Sequence, residues 1–339
     1  MNNNLIELED QILAPSASLV ADIKKIEGDI MLLGIGGKMG PSMGKLALRA
    51  IKEAGINKRV IGVSRFSDST VKNQLEQIGI ETISCDLLNP QELQQLPQVS
   101  NIIYLAGHKF GTTGREDFTW AMNTYLPGMV AEHFKNSRIV AFSSGNVLPF
   151  VPVTAGGASE ELTPEPIGEY AQSCLGRERI FQYFSKKNQT DILIYRLNYA
   201  VDFRYGVLVE IAKSVISDTP IDLTTENVNV IWQGDANEIA LRSLLHCSNP
   251  AKILNVTGPE TLSVKWIAER FGEFLEKTPA FINESAGTAL LNNASECHKL
   301  FGYPQTTIRE AIEITAQWLQ QGGDLFNKET HFQERGGKF

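Results

Sequence analysis

The chain has 339 residues, of which 42% are hydrophobic and 21% charged, and its formal net charge is −8. That length can bury a sizeable core and that composition is ordinary for a globular protein, so intrinsic disorder is excluded. The acidic balance argues against nucleic acid as a partner, because a phosphate backbone needs a basic face. Four scattered cysteines (Cys85, Cys174, Cys247, Cys297) with no C-x-x-C pair read as reduced thiols of a cytoplasmic protein, with neither a disulfide frame nor a metal site. The acidic, polar first ten residues exclude a secretory signal, and no apolar run reaches 18 residues, so no membrane span is expected.

From residue 29 the chain alternates short β-rich runs with longer helical patterns. The strands are predicted at Ile30–Leu33, Arg59–Ser64, Glu81–Ser84, Asn101–Leu105, Arg138–Ser143 and Asp191–Leu197. Helices are predicted at Pro41–Glu53, Asp68–Ile78, Trp120–Phe134 and Glu169–Lys187, with two more at Leu262–Glu276 and Ser295–Leu300. Strands separated by helices require a parallel, doubly wound α/β sheet of the Rossmann kind with right-handed crossovers. We divide the chain into an N-terminal extension (1–28), a dinucleotide-binding domain (29–200) to which 225–248 returns, a smaller C-terminal substrate lobe (201–320), and a tail (321–339). The extension is read as an extra strand and helix; the polar tail carries no signal.

The first predicted strand breaks into Gly34-Ile-Gly36-Gly37-Lys38-Met39-Gly40 before the first helix. This order brings backbone N–H groups and the positive end of a helix to the carboxyl edge of a strand, where a pyrophosphate is received. A ligand-free glycine turn is the plain alternative, but the strand before and helix after favour a nicotinamide dinucleotide. The second strand ends in Ser64-Arg65, where an acidic residue would select NAD through the adenosine ribose. A guanidinium there suits a 2′-phosphate, and Lys38 is read as a second cation nearby, so NADP is preferred over NAD. Asp86 could accept from the adenine amino group or cap the next helix.

By this point the chain resembles the extended short-chain dehydrogenases/reductases, the NAD-dependent epimerase/dehydratases. The resemblance rests on Gly34-x-x-Gly37-x-x-Gly40, Asp86-Leu-Leu, Tyr104-Leu105-Ala106-Gly107, Asn123, Phe142-Ser-Ser-Gly-Asn-Val147, and Tyr170. It continues through Tyr195-Arg-Leu-Asn198, Gly234-Asp235-Ala236, Asn255-Val-Thr-Gly258 and Ser295 to Pro304. It implies that Leu105, Ala106, Gly107 and Asn123 border the coenzyme, that Ser144 (less well Ser143) polarises a substrate oxygen, and that Tyr170 is the acid/base. It also implies a homodimer through the helices matching Trp120–Phe134 and Glu169–Lys187.

One departure stands out. The family pattern has lysine four residues after the tyrosine, one turn along the same helical face, and this chain has Cys174. A neutral thiol cannot favour the phenolate, whereas a close cation lowers a pKa by roughly 1–3 units. Lys109, in the loop after the fourth strand, is the preferred substitute, with His108 as runner-up and Arg177 on a more distant turn. If no cation substitutes, the chain is instead an impaired NAD(P)-binding sensor or regulatory protein; Cys174 as a nucleophile is weaker, because buried cysteines are mostly inert.

Sugar-nucleotide members often have an arginine seven residues before the aspartate matching Asp235; here that position is Val228. Arg204 is the remaining inward candidate, and Asn198, Tyr199 and Trp232 are read as lining the cleft. The substrate expected is a sugar or a small hydroxy or keto compound, such as a free sugar acid or lactone. The loop also looks like the opening of dihydrodipicolinate reductases, but their paired-histidine segment is missing. A phosphate-loop NTPase fails because Leu46 follows Gly44-Lys45.

Overall fold

A computed structural model describes residues 14–338 except 110 and 112. Short apolar runs bounded by turns become seven strands: β1 (Ile30–Leu33), β2 (Val60–Ser64), β3 (Glu81–Ser84), β4 (Asn101–Tyr104), β5 (Arg138–Ser144), β6 (Ile192–Leu197) and β7 (Lys252–Val256). They form one parallel sheet in the order β7-β6-β5-β4-β1-β2-β3. The order reverses at β1, which pairs with β2 on one side and β4 on the other, so the crevice for a ligand opens beyond Leu33. The doubly wound Rossmann architecture expected from the sequence is the one observed. β7, at the sheet edge, is the strand the sequence reading did not assign; its Lys-Ile-Leu-Asn-Val run mixes polar with apolar residues.

The helices are α1 (Ala17–Lys25), α2 (Gly40–Glu53), α3 (Ser69–Gln77), α4 (Pro90–Gln94), α5 (Glu116–Trp120), α6 (Leu126–His133), α7 (Gly168–Asn188), α8 (Val207–Ile216), α9 (Gln233–Arg242), α10 (Val264–Leu275), α11 (Ser295–Phe301) and α12 (Ile308–Gln320). A π-helical turn, Ala121–Tyr125, joins α5 to α6 inside the single helix predicted there. Helix α1 supplies the helix expected in the extension, and the strand expected before it would fall in 1–13, outside the described residues. Helix α12 carries a capping box, Thr307 with Glu310.

Because both faces of a parallel sheet are covered, its strands are apolar on both sides. Leu32, Val140 and Leu193 pack under α2, α9 and neighbours on one face, and Met31, Ile102 and Ile139 pack under α6 and α7 on the other. A separate core gathers Val207, Ile211, Val264, Phe271, Ala311 and Trp318 from α8, α10 and α12. Phe332 of the final segment joins it and is buried, which anchors that segment by about 1.5–3 kcal/mol. The final segment is therefore packed: Phe326 N–H donates to the Arg204 carbonyl, Arg335 donates to Thr288, and Gly337 lies against Gly168 at the start of α7.

Candidate active site

The glycine loop leaves β1 so that Gly34 sits at φ +92°, and a Cβ there would stand 2.8 Å from the Ala106 nitrogen. Only glycine tolerates both that dihedral and that approach. Leu105 N–H donates to the Leu33 carbonyl at 2.8 Å, so the loops after β1 and β4 face each other across the switch point. Helix α2 begins at Gly40 behind Met39 without a side-chain cap and with proline in its first turn, so no side chain competes for its first N–H groups.

One end of the crevice is lined by Gly34, Gly36, Gly37, Ser64, Arg65, Asp86, Leu105, Ala106 and Gly107. A Cβ at Gly36 would stand 2.6 Å from the Ser64 hydroxyl oxygen, so the loop packs directly on the end of β2 and a side chain at 36 would have to displace Ser64. Arg65 is exposed at this end. Lys38 is not beside it, contrary to the sequence expectation: its ammonium crosses to the opposite wall, 3.1 Å from the Ala200 carbonyl and 3.8 Å above the Tyr205 ring. Asp86 closes a tight turn by accepting from Leu88 N–H at 3.1 Å, and the cap of α4 is Asn89 instead.

The other end is a cleft of about 340 Å³ lined by Lys38, Lys109, Ser144, Tyr170, Tyr199, Tyr205, Lys328 and Thr330 among others. Ser144 ends β5 and Tyr170 opens α7, and both line this cleft; the Ser144 hydroxyl donates to the Asn146 side-chain carbonyl at 3.0 Å, and Ser144 and Cys174 both act on the Tyr170 phenol. Ser143 also borders the cleft, but its hydroxyl is committed to the buried Glu178, to which it donates at 2.7 Å. Tyr199, with φ +42°, is an aromatic residue in left-handed backbone on the cleft wall, the kind of strain that clusters at functional sites. Asn198 does not line the cleft; it is buried and donates to Asn229 at 2.8 Å, and Trp232 lies in a neighbouring groove. Asn123 also stays out of the cleft. Its amide accepts from His108 N–H and Arg177 and donates to the His108 carbonyl and Ser173, which fixes the loop after β4.

Residues 31–201 match the sequence profile of the NAD dependent epimerase/dehydratase family. The chain belongs to that family. The extended short-chain dehydrogenase/reductase resemblance is thereby borne out, and membership makes the protein an NAD-dependent, epimerase-like enzyme. Similar solved structures include a UDP-glucuronic acid 4-epimerase mutant from Bacillus cereus in complex with UDP-4-deoxy-4-fluoro-glucuronic acid and NAD, 19% identical, with a TM-score of 0.70 over 86% of this chain and 99% of that one. The UDP-glucose 4-epimerase of Thermotoga maritima, with UDP-glucose, is 14% identical with a TM-score of 0.70 over 87% and 99%. At such identities the likeness carries the fold. No curated protein matches the sequence significantly.

Within this epimerase/dehydratase site Cys174 is fully buried, and burial pushes its thiol up, so it is neutral packing beside Tyr170. Burial raises the Tyr170 phenol well above its ordinary range and Cys174 adds to the rise; Arg177 and the Ser144 hydroxyl oppose it. Arg177 lies on the turn after Cys174, as the spacing requires. Side chains on a helix lean toward its N-terminus, and this one reaches back to the Phe142 carbonyl at 2.8 Å and to Asn123 at 2.6 Å. Lys109 stands in the cleft, 3.4 Å from the Thr330 carbonyl. His108 turns away, its Nδ1 3.0 Å from the Thr119 hydroxyl and its ring against Phe118. The residues that sequence reasoning missed are Tyr205, Glu210, Lys328 and Thr330, brought in by packing with no local signature.

On the substrate side Val228 is buried in a short strand paired with Leu262, so the position of the sugar-nucleotide arginine belongs to the core. Asp235 accepts from the N–H groups of Gln305 and Thr306, tying α9 to the turn before α12. Arg204 lies against Phe203 and Trp318, 4.7 and 4.9 Å from their ring centres, beside the neighbouring groove. Among the described residues no helix is long and apolar enough to cross a membrane, and no cluster of His, Cys, Asp or Glu could hold a metal.

Proposed function

We propose that the protein is an NAD(P)-dependent oxidoreductase or epimerase acting on a sugar or a small hydroxy or keto compound. Ser144 polarises the substrate oxygen, Tyr170 exchanges its proton, and Lys109 with Arg177 supplies the charge that Cys174 cannot. The observation that carries this reading is that Ser144 and Tyr170 line one cleft together with Gly34, Gly37 and Gly40 of the glycine loop. The crevice fits a nicotinamide dinucleotide: Gly34 and Gly36 let the loop pack tightly against Ala106 and Ser64, and the uncapped start of α2 offers N–H groups to a diphosphate. The coenzyme, when bound, supplies hydride acceptance and donation.

The chain's own residues handle the proton. With its pKa raised, Tyr170 is a neutral phenol at ordinary pH, suited to donate to a carbonyl oxygen. In the opposite direction it accepts a hydroxyl proton only once ionised, which Arg177 favours. Arg65 supports NADP, now without help from Lys38; the solved relatives named above that carry a coenzyme carry NAD, which keeps NAD as the alternative. The exposed aromatics Trp120, Tyr125 and Tyr183, on α5, the π turn and α7, suit a homodimer, and four cysteines free of disulfides suit a reducing cytoplasm.

The test is turnover of sugar acids, lactones and nucleotide sugars with each coenzyme. We expect Tyr170→Phe to abolish turnover and leave coenzyme affinity intact. Coenzyme binding without turnover of any compound by the native protein favours the sensor reading, for which the missing lysine speaks.

A further inference from the structure

We propose that Glu210 is a positioning residue for the reaction: through Thr330 of the final segment it fixes Lys109 against Tyr170. This rests on the reading of Tyr170 as the acid/base and of Lys109 as a cation that serves it. The three links stand on separate elements, Glu210 in the first turn of α8, Thr330 in the final segment and Lys109 in the loop after β4. Thr330 is buried, and both of its donors go to one carboxylate. Its hydroxyl donates to Glu210 Oε2 at 2.6 Å, and its backbone N–H donates to Oε1. Its carbonyl oxygen accepts from the Lys109 ammonium at 3.4 Å, and that ammonium lies 5.9 Å from the centre of the Tyr170 ring.

The final segment has no regular secondary structure, so its backbone takes its place from what it meets. Helix α8 is fixed here because Val207, Leu208, Ile211 and Ala212 are buried in the substrate-lobe core, and Phe332, two residues beyond Thr330, is buried in the same core. Two bonds to one carboxylate, each stronger than its neutral counterpart, then hold the Thr330 peptide in a single orientation. The charge has a second effect. Burial brings Lys109 down to about 8, and Glu210, ahead of Cys174, pulls it back up. Burial also raises Glu210, and the Thr330 bonds, Lys109 and His331 oppose that rise. The other groups facing the pair are Lys38 and Tyr170 beside Lys109, and Tyr199 and Tyr205 beside Glu210. One carboxylate thus both places the ammonium and favours its protonated form.

The full-length protein is labelled with carbon-13 at the lysine Cε, and the Lys109 signal is identified by its loss in Lys109→Arg. Its titration midpoint follows the ammonium, and its displacement relative to Tyr170→Leu protein follows the nearness of the aromatic ring. Glu210→Gln keeps the shape and removes the charge. We expect it to lower the midpoint by about one unit, a tenfold change in the ionised fraction, and to remove most of the ring displacement. Thr330→Val keeps the Glu210 charge and loses the hydroxyl, so it reduces the displacement and leaves the midpoint nearly unchanged. Lys213, exposed on the same helix, keeps its signal in both variants. The proposal is overturned if Lys109 keeps its midpoint and displacement in Glu210→Gln, or if the Lys213 signal moves as far as that of Lys109, because Glu210 then only holds α8 in place. An intact displacement in Thr330→Val overturns the route through Thr330. None of these readings uses turnover, so two failures are told apart: an unmoved Lys109 signal ends the positioning role, and turnover that survives Tyr170→Phe ends the reaction reading.

Discussion

The Lys109 ammonium lies 5.9 Å from the centre of the Tyr170 ring, in a site where the helix itself offers Cys174. Arg177, one turn beyond the usual lysine, opposes the rise in the phenol's pKa, and Lys109 in the loop after β4 is the second cation we propose for it. The two routes differ in character: Arg177 is buried and fixed by Asn123 and Phe142, while Lys109 stands half-buried in the cleft.

Oxidation of a hydroxyl needs the phenolate, and burial and Cys174 raise the Tyr170 pKa. The fraction competent to accept a proton therefore grows as pH rises, and kcat/KM for oxidation is expected to climb through the alkaline range. Lys109→Met removes a cation and should move that limb to higher pH, with about a tenfold loss of rate below it for each unit. A pH profile of oxidation in both proteins checks this; superimposable limbs would show that Lys109 does not act on Tyr170.

Lys38 gives a stability signature. Its pKa falls from 10.5 in the open chain to about 7 in the fold, with burial the largest cause. Between those values the unfolded chain holds more protons, so stability rises with pH from about 7 to about 10.5, and below 7 the full penalty of burying the charge is present. The span of roughly 3.5 units at about 1.4 kcal/mol each is partly screened by cleft water, leaving a few kcal/mol. Coenzyme-free protein should therefore gain in melting temperature from pH 7 to 9, and Lys38→Met should be more stable at pH 7 with a flatter dependence. An unchanged slope in the variant would assign the effect elsewhere.

Most of the strands β1 to β6 were legible as short apolar runs stopped by turn residues, a local signal, although β3 (Glu-Thr-Ile-Ser) is largely polar and was read from its place between helices. Ser144 and Tyr170 came from the resemblance, and the structure places them together. β7 escaped because Asn255 breaks its apolar run, and α12 escaped although Thr307 and Glu310 spelled its start. The direction of Lys38 and the presence of Lys328 could not be read at all. Each depends on contacts across more than a hundred residues, and a charged residue beside glycines looks the same in sequence whichever wall it reaches. The reach of Arg177 was not legible for a geometric reason: counting turns measures Cα spacing and ignores a side chain that leans back along the helix.

The proposed preference for NADP turns on Arg65. The crevice end it borders also holds Ser64 and Asp86, and Asp86 is engaged with Leu88 N–H. A charge-assisted contact from a guanidinium to a 2′-phosphate is worth about 1.5–3 kcal/mol. Arg65→Ala should thus weaken NADP binding about tenfold or more while leaving NAD nearly unchanged, as measured by fluorescence titration of the two reduced forms. Equal effects on both would place Arg65 on the shared part of the dinucleotide and leave NAD the natural partner.

The adjacent serines at the end of β5 separate structure from chemistry. Ser143 donates to Glu178, which is paired with Arg196 at 2.9 and 2.8 Å, and the Glu178 and Arg196 side chains are essentially sealed from water. Removing one partner of such a pair leaves an uncompensated buried charge and costs about 3–5 kcal/mol. Glu178→Gln should therefore lower the melting temperature sharply, and Ser143→Ala should lower it less, by about 1.5–3 kcal/mol for a hydrogen bond to a charged group. Neither change touches the Ser144 or Tyr170 hydroxyl, so Ser143→Ala should keep its turnover at temperatures where it remains folded. Ser144→Ala should do the reverse, losing rate by a hundredfold order, roughly what one positioned proton-handling or polarising group contributes, while giving up only neutral hydrogen bonds to Asn146, worth about 1 kcal/mol each. Thermal melts and initial rates on the same preparations decide the assignment, and a Ser143→Ala protein that is stable but inactive would exchange the two roles.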